Sequence, residues 1–262
     1  MLSQIIAPTR TALKGRAQRR GDLATAHALL SDALELAELC GEKRLIGSIQ
    51  QNLGIVADIR GDFEGALARY RVAQRIFEAG RDEQRLCWLL VNLGYLHVRQ
   101  HRFDAASATF ARALGIARER GDLMSEGVIE ENRAEALLLS GETDAAYDSV
   151  RRALEIAELR RDDVRRATAL KLRGAYERLI GRPSAAVETL RHSLTLSTLG
   201  EDALLGAEVL YQFGAALDAS GDHKMAHDVW QTALDAFQRI SAKDWIKRVQ
   251  DVLTDGLPGR YL

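Results

Sequence analysis

The chain has 262 residues, of which 47% are hydrophobic and 28% are charged, and this balance is typical of a folded, water-soluble protein. Its 36 lysines and arginines nearly cancel its 37 aspartates and glutamates, so the net charge of −1 gives no reason to expect nucleic acid or an anionic membrane as a partner. The presence of only 3 prolines argues against long disordered linkers, and no apolar run approaches the roughly 20 residues needed to cross a bilayer.

A short pattern recurs along the chain at a fixed step of 40 residues. It opens on a turn glycine, with His101 in the one slot that departs from the rule: Gly21, Gly61, Gly141, Gly181 and Gly221. Five residues later every copy has an alanine: Ala26, Ala66, Ala106, Ala146, Ala186 and Ala226. Four residues further on there is a larger, mostly apolar residue: Leu30, Tyr70, Phe110, Val150, Leu190 and Trp230. Because these offsets are helical, the pattern predicts a repeated helix-turn-helix unit and therefore a solenoid.

The pattern predicts six helix pairs after a lead-in at residues 1–8. In chain order they are Thr9–Arg20 with Asp22–Leu39, Leu45–Arg60 with Asp62–Ala79, Gln84–Gln100 with Phe103–Arg120, Met124–Ser140 with Thr143–Leu159, Val164–Ile180 with Pro183–Thr198, and Ala203–Ser220 with Asp222–Ile240. The corresponding repeats cover about residues 7–46, 47–86, 87–126, 127–166, 167–206 and 207–244.

One more amphipathic helix is predicted over residues 245–255, because Trp245, Val249 and Leu253 follow one another at steps of four. We expect it to cap the sixth repeat, whose outer face would otherwise be exposed. Residues 256–262, which include Pro258 and Gly259, are expected to form a frayed tail.

Two features bear on the cellular compartment. Residues 1–8 lack a basic segment and no cleavage site follows them, so we predict no signal peptide. The only cysteines, Cys40 and Cys87, are too few for a disulfide framework. Both features are those of a cytoplasmic protein without a membrane partner.

The sequence resembles the tetratricopeptide repeat family, whose first helix typically reads W-x-x-L-G-x-x-Y and whose second carries A-x-x-x-F/Y-x-x-A. Asn52-Leu53-Gly54 and Asn92-Leu93-Gly94-Tyr95 match the first helix, and the second-helix pattern is present in all six repeats. The 40-residue step is longer than the common one of about 34 residues and is similar to that of arrays in bacterial signal-transduction regulators and kinesin light chains. The resemblance implies an all-α, right-handed superhelical solenoid that binds a peptide or protein segment in its concave groove.

In the family, groove side chains come from defined positions of the first helices. The positions that match in this sequence include Gln51, Ile55, Asp58, Trp88, Val91, Tyr95, Glu131, Glu135, Lys171, Arg178 and Tyr211. Repeat three is aromatic and apolar, repeat four acidic and repeat five basic, which suits a peptide held by one hydrophobic side chain and by flanking charges. Trp88 either lines the groove or packs between helices, and we expect Tyr95 to be exposed.

Two groups of arginines have alternative interpretations. Arg133 and Arg173 stand where the family has leucine, so they form either structural ion pairs with nearby carboxylates or a site for an anionic ligand. The nearby carboxylates belong to Glu130, Glu131, Glu135 and Glu177. The basic side chains of the helix Thr9–Arg20 form either a solvated face or a surface for an acidic partner.

Catalytic and metal-binding patterns are weak. His97 and His101, like His223 and His227, are spaced to share a metal ion, but no third ligand lies near either pair, which favours ordinary surface histidines. No nucleophile motif and no phosphate-binding loop is present. We therefore predict no cofactor, no metal and no enzymatic activity.

The sequence thus predicts a non-catalytic protein-interaction scaffold. The alternative is an effector- or peptide-sensing domain of a bacterial transcription or signalling regulator, and a hydrolase or metal enzyme is the third class. The identity of the partner, the oligomeric state and self-association through the terminal faces stay open.

Overall fold

The structure is a computed structural model that describes residues 20–199 and 202–255, with the backbone alone at residues 20–22, 198 and 199. Twelve helices and no strands occupy these residues. In order they are α1 (Arg20–Leu39), α2 (Lys43–Ile59), α3 (Phe63–Ala79), α4 (Glu83–Arg99), α5 (Phe103–Glu119), α6 (Leu123–Ser140), α7 (Thr143–Leu159), α8 (Asp163–Leu179), α9 (Pro183–Leu199), α10 (Ala203–Ala219), α11 (His223–Arg239) and α12 (Lys243–Asp255).

These bounds agree with the predicted helices to within two residues, and the all-α prediction is confirmed. The predicted lead-in (1–8), the predicted tail (256–262) and all but the last residue of the predicted first helix (9–20) lie outside the described residues. The same is true of all five basic side chains of that helix, those of Arg10, Lys14, Arg16, Arg19 and Arg20.

The chain divides into two compact units, an N-terminal unit of residues 1–125 and a C-terminal unit of residues 126–262. In the N-terminal unit each helix from α1 to α4 packs on the next one along the chain, and α2 also touches α4. In the C-terminal unit α7 to α11 do the same, and α8 touches α10. Consecutive helix pairing of this kind is typical of a tetratricopeptide solenoid.

Ten of the turns each place one residue in the left-handed region, at a spacing of 20 residues from Gly41 to Gly181 and again at Gly221 and Ser241. Glycine occupies six of these positions, and Arg81, His101, Arg161 and Ser241 occupy four others with φ between 49° and 56°. An aspartate often follows and caps the next helix; Asp62, for example, accepts a hydrogen bond from the Gly65 N–H at 2.9 Å.

The two helices of a repeat meet where a first-helix glycine faces the large residue of the recurring pattern. A Cβ atom added to Gly94 would lie 2.5 Å from the Phe110 ring, and equally close contacts join Gly54 to Tyr70, Gly174 to Leu190 and Gly214 to Trp230. Repeat four has Ala134 in place of the glycine, and its partner is the smaller Val150. The recurring alanines from Ala66 to Ala226 are fully buried, as the pattern predicts.

Helix α12 covers the sixth repeat. The Trp245 ring stacks on Phe237 with the ring centroids 5.1 Å apart and meets the Tyr211 ring edge-on at 5.4 Å. Val249 and Val252 are buried in the same core. The structure therefore agrees with the prediction of a capping helix.

Candidate functional site

The predicted groove residues of the N-terminal unit lie on α2 and α4. Gln51, Trp88 and Tyr95 are partly exposed, whereas Ile55 and Val91 are buried. Trp88 is thus neither wholly core nor wholly surface, and Tyr95 is less exposed than the sequence predicted. The accessible part of this surface consists of two aromatic rings, seven residues apart on α4, and one amide side chain of α2.

The buried Asp58 links helices α2 and α4 of the N-terminal unit. Its side chain is fully buried, and the Arg99 guanidinium donates both to Asp58 Oδ1 at 2.6 Å and to the Asp58 carbonyl at 2.8 Å. The same guanidinium lies over the Phe63 ring, 4.9 Å from its centroid. Asp58 is therefore engaged in a tie between α2 and α4, and a ligand cannot reach its carboxylate.

A cluster of charges joins three first helices of the C-terminal unit; we call it the Lys171 cluster, and its members are Lys171, Arg165, Glu131, Glu135 and Glu208. Lys171 Nζ on α8 donates to Glu208 Oε2 on α10 at 2.5 Å, and the two side chains stay 17% and 19% exposed. Burial opposes the charge of Lys171, but the carboxylates of Glu208, Glu135 and Glu131 outweigh it, and the Lys171 pKa is raised.

Glu131 is the buried member of the Lys171 cluster. Its side chain is 6% exposed and accepts a hydrogen bond from Arg165 Nη1 at 2.8 Å. Burial raises the pKa of Glu131 to about 7, although Arg165 and Lys171 act in the opposite direction. The cluster therefore contains a carboxyl group that titrates near neutral pH.

Two further predicted groove residues lie deeper than a binding surface requires. Tyr211 is fully buried against Trp245 of α12, so a ligand cannot reach its ring. Arg178 is partly buried, and burial lowers its pKa in spite of the nearby Tyr211 hydroxyl. In the C-terminal unit, the predicted groove residues that the structure brings together are Glu131, Glu135 and Lys171.

The unusual arginines of the first helices pair with carboxylates. Arg133 lies 3.6 Å from Glu130, and Arg173 lies 2.9 Å from Glu177, which also accepts a hydrogen bond from Thr189. Of the two alternatives that the sequence left open, the structure shows the ion pairs.

Neither histidine pair gathers a metal site. Within the part of the chain that the structure describes, no group of three metal-binding side chains comes together. His97 is partly buried, and burial followed by the charge of Arg102 lowers its pKa. His223 is exposed and contacts Asp218 at 2.7 Å.

Among the described helices, none combines the length and the apolar character that crossing a bilayer requires.

Sequence reasoning missed the ties between repeats. Arg165 is 34 residues from Glu131, Lys171 is 37 from Glu208 and Arg99 is 41 from Asp58. Opposite charges about one repeat apart were the available signal, because residues at that separation occupy similar places on neighbouring first helices.

Residues 125–198 match the tetratricopeptide repeat family. This segment of the chain therefore contains tetratricopeptide repeats. Tetratricopeptide repeat proteins are generally non-catalytic, and their fold is that of a protein-interaction scaffold. No curated protein sequence matches the chain.

Solved tetratricopeptide-type structures share the fold. BtubC (BKLC) from P. vanneervenii is 21% identical with a TM-score of 0.67, over 90% of this chain and 94% of that one. A Signal Transduction ATPase with Numerous Domains (STAND) protein with a tetratricopeptide repeat sensor, from Pyrococcus horikoshii, is 14% identical with a TM-score of 0.68, over 93% of this chain and 36% of that one. The apo form of RapI is 16% identical with a TM-score of 0.64, over 94% of this chain and 69% of that one. At these identities the similarity establishes the fold alone.

Proposed function

We propose that this tetratricopeptide repeat protein binds an extended peptide or protein segment on the first helices of its repeats and catalyses no reaction. The observation that carries the proposal is the Lys171 cluster. It holds charges of both signs in fixed positions on successive first helices, and four of its five side chains, all but that of Glu131, are partly open to solvent. A fixed array of this kind can select a partner by its charges.

Glu135 is the member of the cluster with which a partner would interact most directly. It is partly exposed and, among the described residues, forms neither a hydrogen bond nor an ion pair. Above about pH 7, where Glu131 is ionised, the cluster contains three carboxylates and two cationic groups, so an additional cation is the charge that it favours. We therefore expect a partner segment with a lysine or arginine at this position.

The aromatic surface of the N-terminal unit is a second place for contact. Trp88, Tyr95 and Gln51 are partly exposed there, and aromatic side chains are common anchors of protein interfaces. An apolar side chain of the partner would pack on these rings.

The test starts from a display library of random peptides selected on the full chain, and the strongest binder is titrated by isothermal calorimetry. We expect Glu135→Lys to weaken this peptide at least tenfold and Tyr95→Ala to weaken peptides that carry an apolar anchor. Glu158→Lys is the matched control, because Glu158 is exposed on the second helix α7 and undergoes the same charge reversal. Unchanged affinity in both Glu135→Lys and Tyr95→Ala, or equal losses in Glu158→Lys, would contradict the proposal.

A sensory role is the second candidate, and the similarity of fold to a STAND protein with a tetratricopeptide repeat sensor suggests it. In that case the peptide would act as an effector whose binding changes the state of a larger assembly. The sensory role predicts that the selected peptide alters the sedimentation coefficient of the chain by more than its own mass explains. An increase in the sedimentation coefficient that the mass of the bound peptide explains favours the scaffold role.

A further inference from the structure

An open cavity of about 390 Å³ lies among α9, α10 and α11 of the C-terminal unit, and no residue of the Lys171 cluster lines it. Its wall includes Leu194, Gly206, Ala207, Leu210, Ala236 and Arg239. The volume is near the lower end of the range of about 300–1,000 Å³ that small-molecule sites occupy.

The first cause of the cavity is the glycine at position 206. A Cβ atom added to Gly206 would have no neighbouring atom within 4 Å, so the space beside it is empty. The equivalent positions of repeats two to five carry larger side chains: Ile46, Leu86, Glu126 and Arg166. Leu86 and Glu126 are buried there, which shows that a side chain at this position fills space between helices.

The second cause is the alanine at position 236. The equivalent positions of the preceding repeats carry Ile76, Ile116, Ile156 and Leu196. Ile156 reaches across to α6, because a Cβ atom added to Gly127 would lie 3.1 Å from its Cγ2. Ala236 is too short to make this contact with α10. Repeat six therefore lacks two large side chains that would occupy the same space.

The cavity wall carries one charge without an internal partner. Arg239 donates from Nε to the Asp235 carbonyl at 3.4 Å, and it forms no ion pair with any other residue in the described ranges. A guanidinium beside an apolar space is complementary to a carboxylate attached to a hydrocarbon chain.

The other polar groups of the wall are already hydrogen-bonded. Ser197 donates to the Leu194 carbonyl at 3.0 Å, and Asp202 Oδ1 accepts from the N–H groups of Leu204 and Leu205 at 3.1 Å. These groups have little to offer the amides of a peptide, so the wall suits a plain hydrocarbon chain better than a peptide segment.

We propose that this cavity binds an aliphatic carboxylate of medium chain length, with the hydrocarbon in the space beside Gly206 and Ala236 and the carboxylate on Arg239. The site is distinct from the partner-binding surface around the Lys171 cluster, and its occupation adds a small-molecule ligand to the functions of this chain.

The probe is octanoate. 1-Octanol is the control for the carboxylate charge, and acetate is the control for the hydrocarbon chain. Calorimetric titration of the full chain should give a dissociation constant below about 1 mM for octanoate, at least fivefold weaker binding of 1-octanol and no measurable binding of acetate. Arg239→Gln should reduce octanoate affinity to that of 1-octanol. Arg160→Gln, which removes an exposed arginine of the same unit, should leave the affinity unchanged.

Two variants fill the cavity, so the test can still be made if one of them does not fold. Ala236→Ile restores the side chain of repeats two to four, and Gly206→Leu restores that of repeat three. Each should raise the melting temperature without ligand and abolish octanoate binding. Octanoate binding that survives in a folded cavity-filled variant, no octanoate binding to the original chain, or tighter binding of trileucine than of octanoate would overturn the proposal.

Discussion

At the residue scale, the tightest constraint is the glycine of the first helix, because it fixes how closely two helices approach. Glycine in a helix usually costs about 0.5–1 kcal/mol relative to alanine. Here the large side chain of the second helix occupies the place of the missing Cβ atom. The pairing of Ala134 with Val150 in repeat four indicates that the two positions must match in size.

We therefore predict that Gly94→Ala lowers the free energy of unfolding by about 1–3 kcal/mol through overpacking against Phe110. Adding Phe110→Val, which copies the pair of repeat four, should make the double variant at least about 1 kcal/mol more stable than the sum of the single effects. Urea unfolding measures all three variants. Gly115→Ala is the control, because a Cβ atom there meets only open space and should stabilise the chain. Additive single effects would contradict the size matching.

The second prediction at this scale concerns Glu131. Its pKa is raised by burial from 4.5 to about 7, so between these pH values the folded chain keeps a proton that the unfolded chain has lost. The free energy of unfolding should therefore fall as pH rises through this window.

Glu131→Gln cannot ionise and should lose this dependence. Its stability relative to the original chain should increase by about 3 kcal/mol between pH 4.5 and pH 8. Urea unfolding at four pH values measures the difference, with Glu158→Gln as a control on an exposed helix face. Parallel pH curves for Glu131→Gln and the original chain would show that the buried carboxyl is ionised throughout.

At the scale of the element, the turns determine where each helix ends. The recurring glycine and the aspartate after it are visible in the sequence, and they were sufficient to predict the helix bounds. His101 occupies the left-handed position of its turn with φ of 56°. The backbone conformation of this turn is therefore the same as in the turns that have glycine.

Arg161 allows a direct test of this conformation. It has φ of 53°, which costs a residue with a side chain about 1 kcal/mol, whereas its neighbour Arg160 has φ of −85°. Arg161→Gly should therefore raise the free energy of unfolding by about 0.5–1 kcal/mol, and Arg160→Gly should lower it by a similar amount. Thermal unfolding compares the two variants. Destabilisation by both would mean that the left-handed turn is not a source of strain.

The candidate site was harder to predict than the helices. Spacing placed Lys171, Glu131 and Glu135 on neighbouring first helices, but it could not show that Lys171 bonds to Glu208 or that Arg165 holds Glu131, because these ties depend on side-chain conformation and burial. Tyr211 fits the family's groove position, yet Trp245 of the capping helix covers it. The residue pattern of one repeat does not show which side chains of the next helix pack against it.

At the scale of the whole molecule, each unit consists of repeats that contact mainly their neighbours, so a binding surface can extend along successive first helices without a central active site. The two proposed sites share helix α10 but no residue. The Lys171 cluster belongs to α6, α8 and α10, whereas the cavity lies among α9, α10 and α11. Loss of octanoate binding would therefore leave the peptide-binding proposal intact, and the reverse also holds.

Hydrogen–deuterium exchange of the full chain, with and without the peptide selected from the display library, tests the central claim most directly. The account predicts slower exchange in the segments of α6, α8 and α10 that contain Glu135, Lys171 and Glu208, and unchanged exchange in α7 and α11. Protection confined to the second helices, with none at the Lys171 cluster, would contradict it.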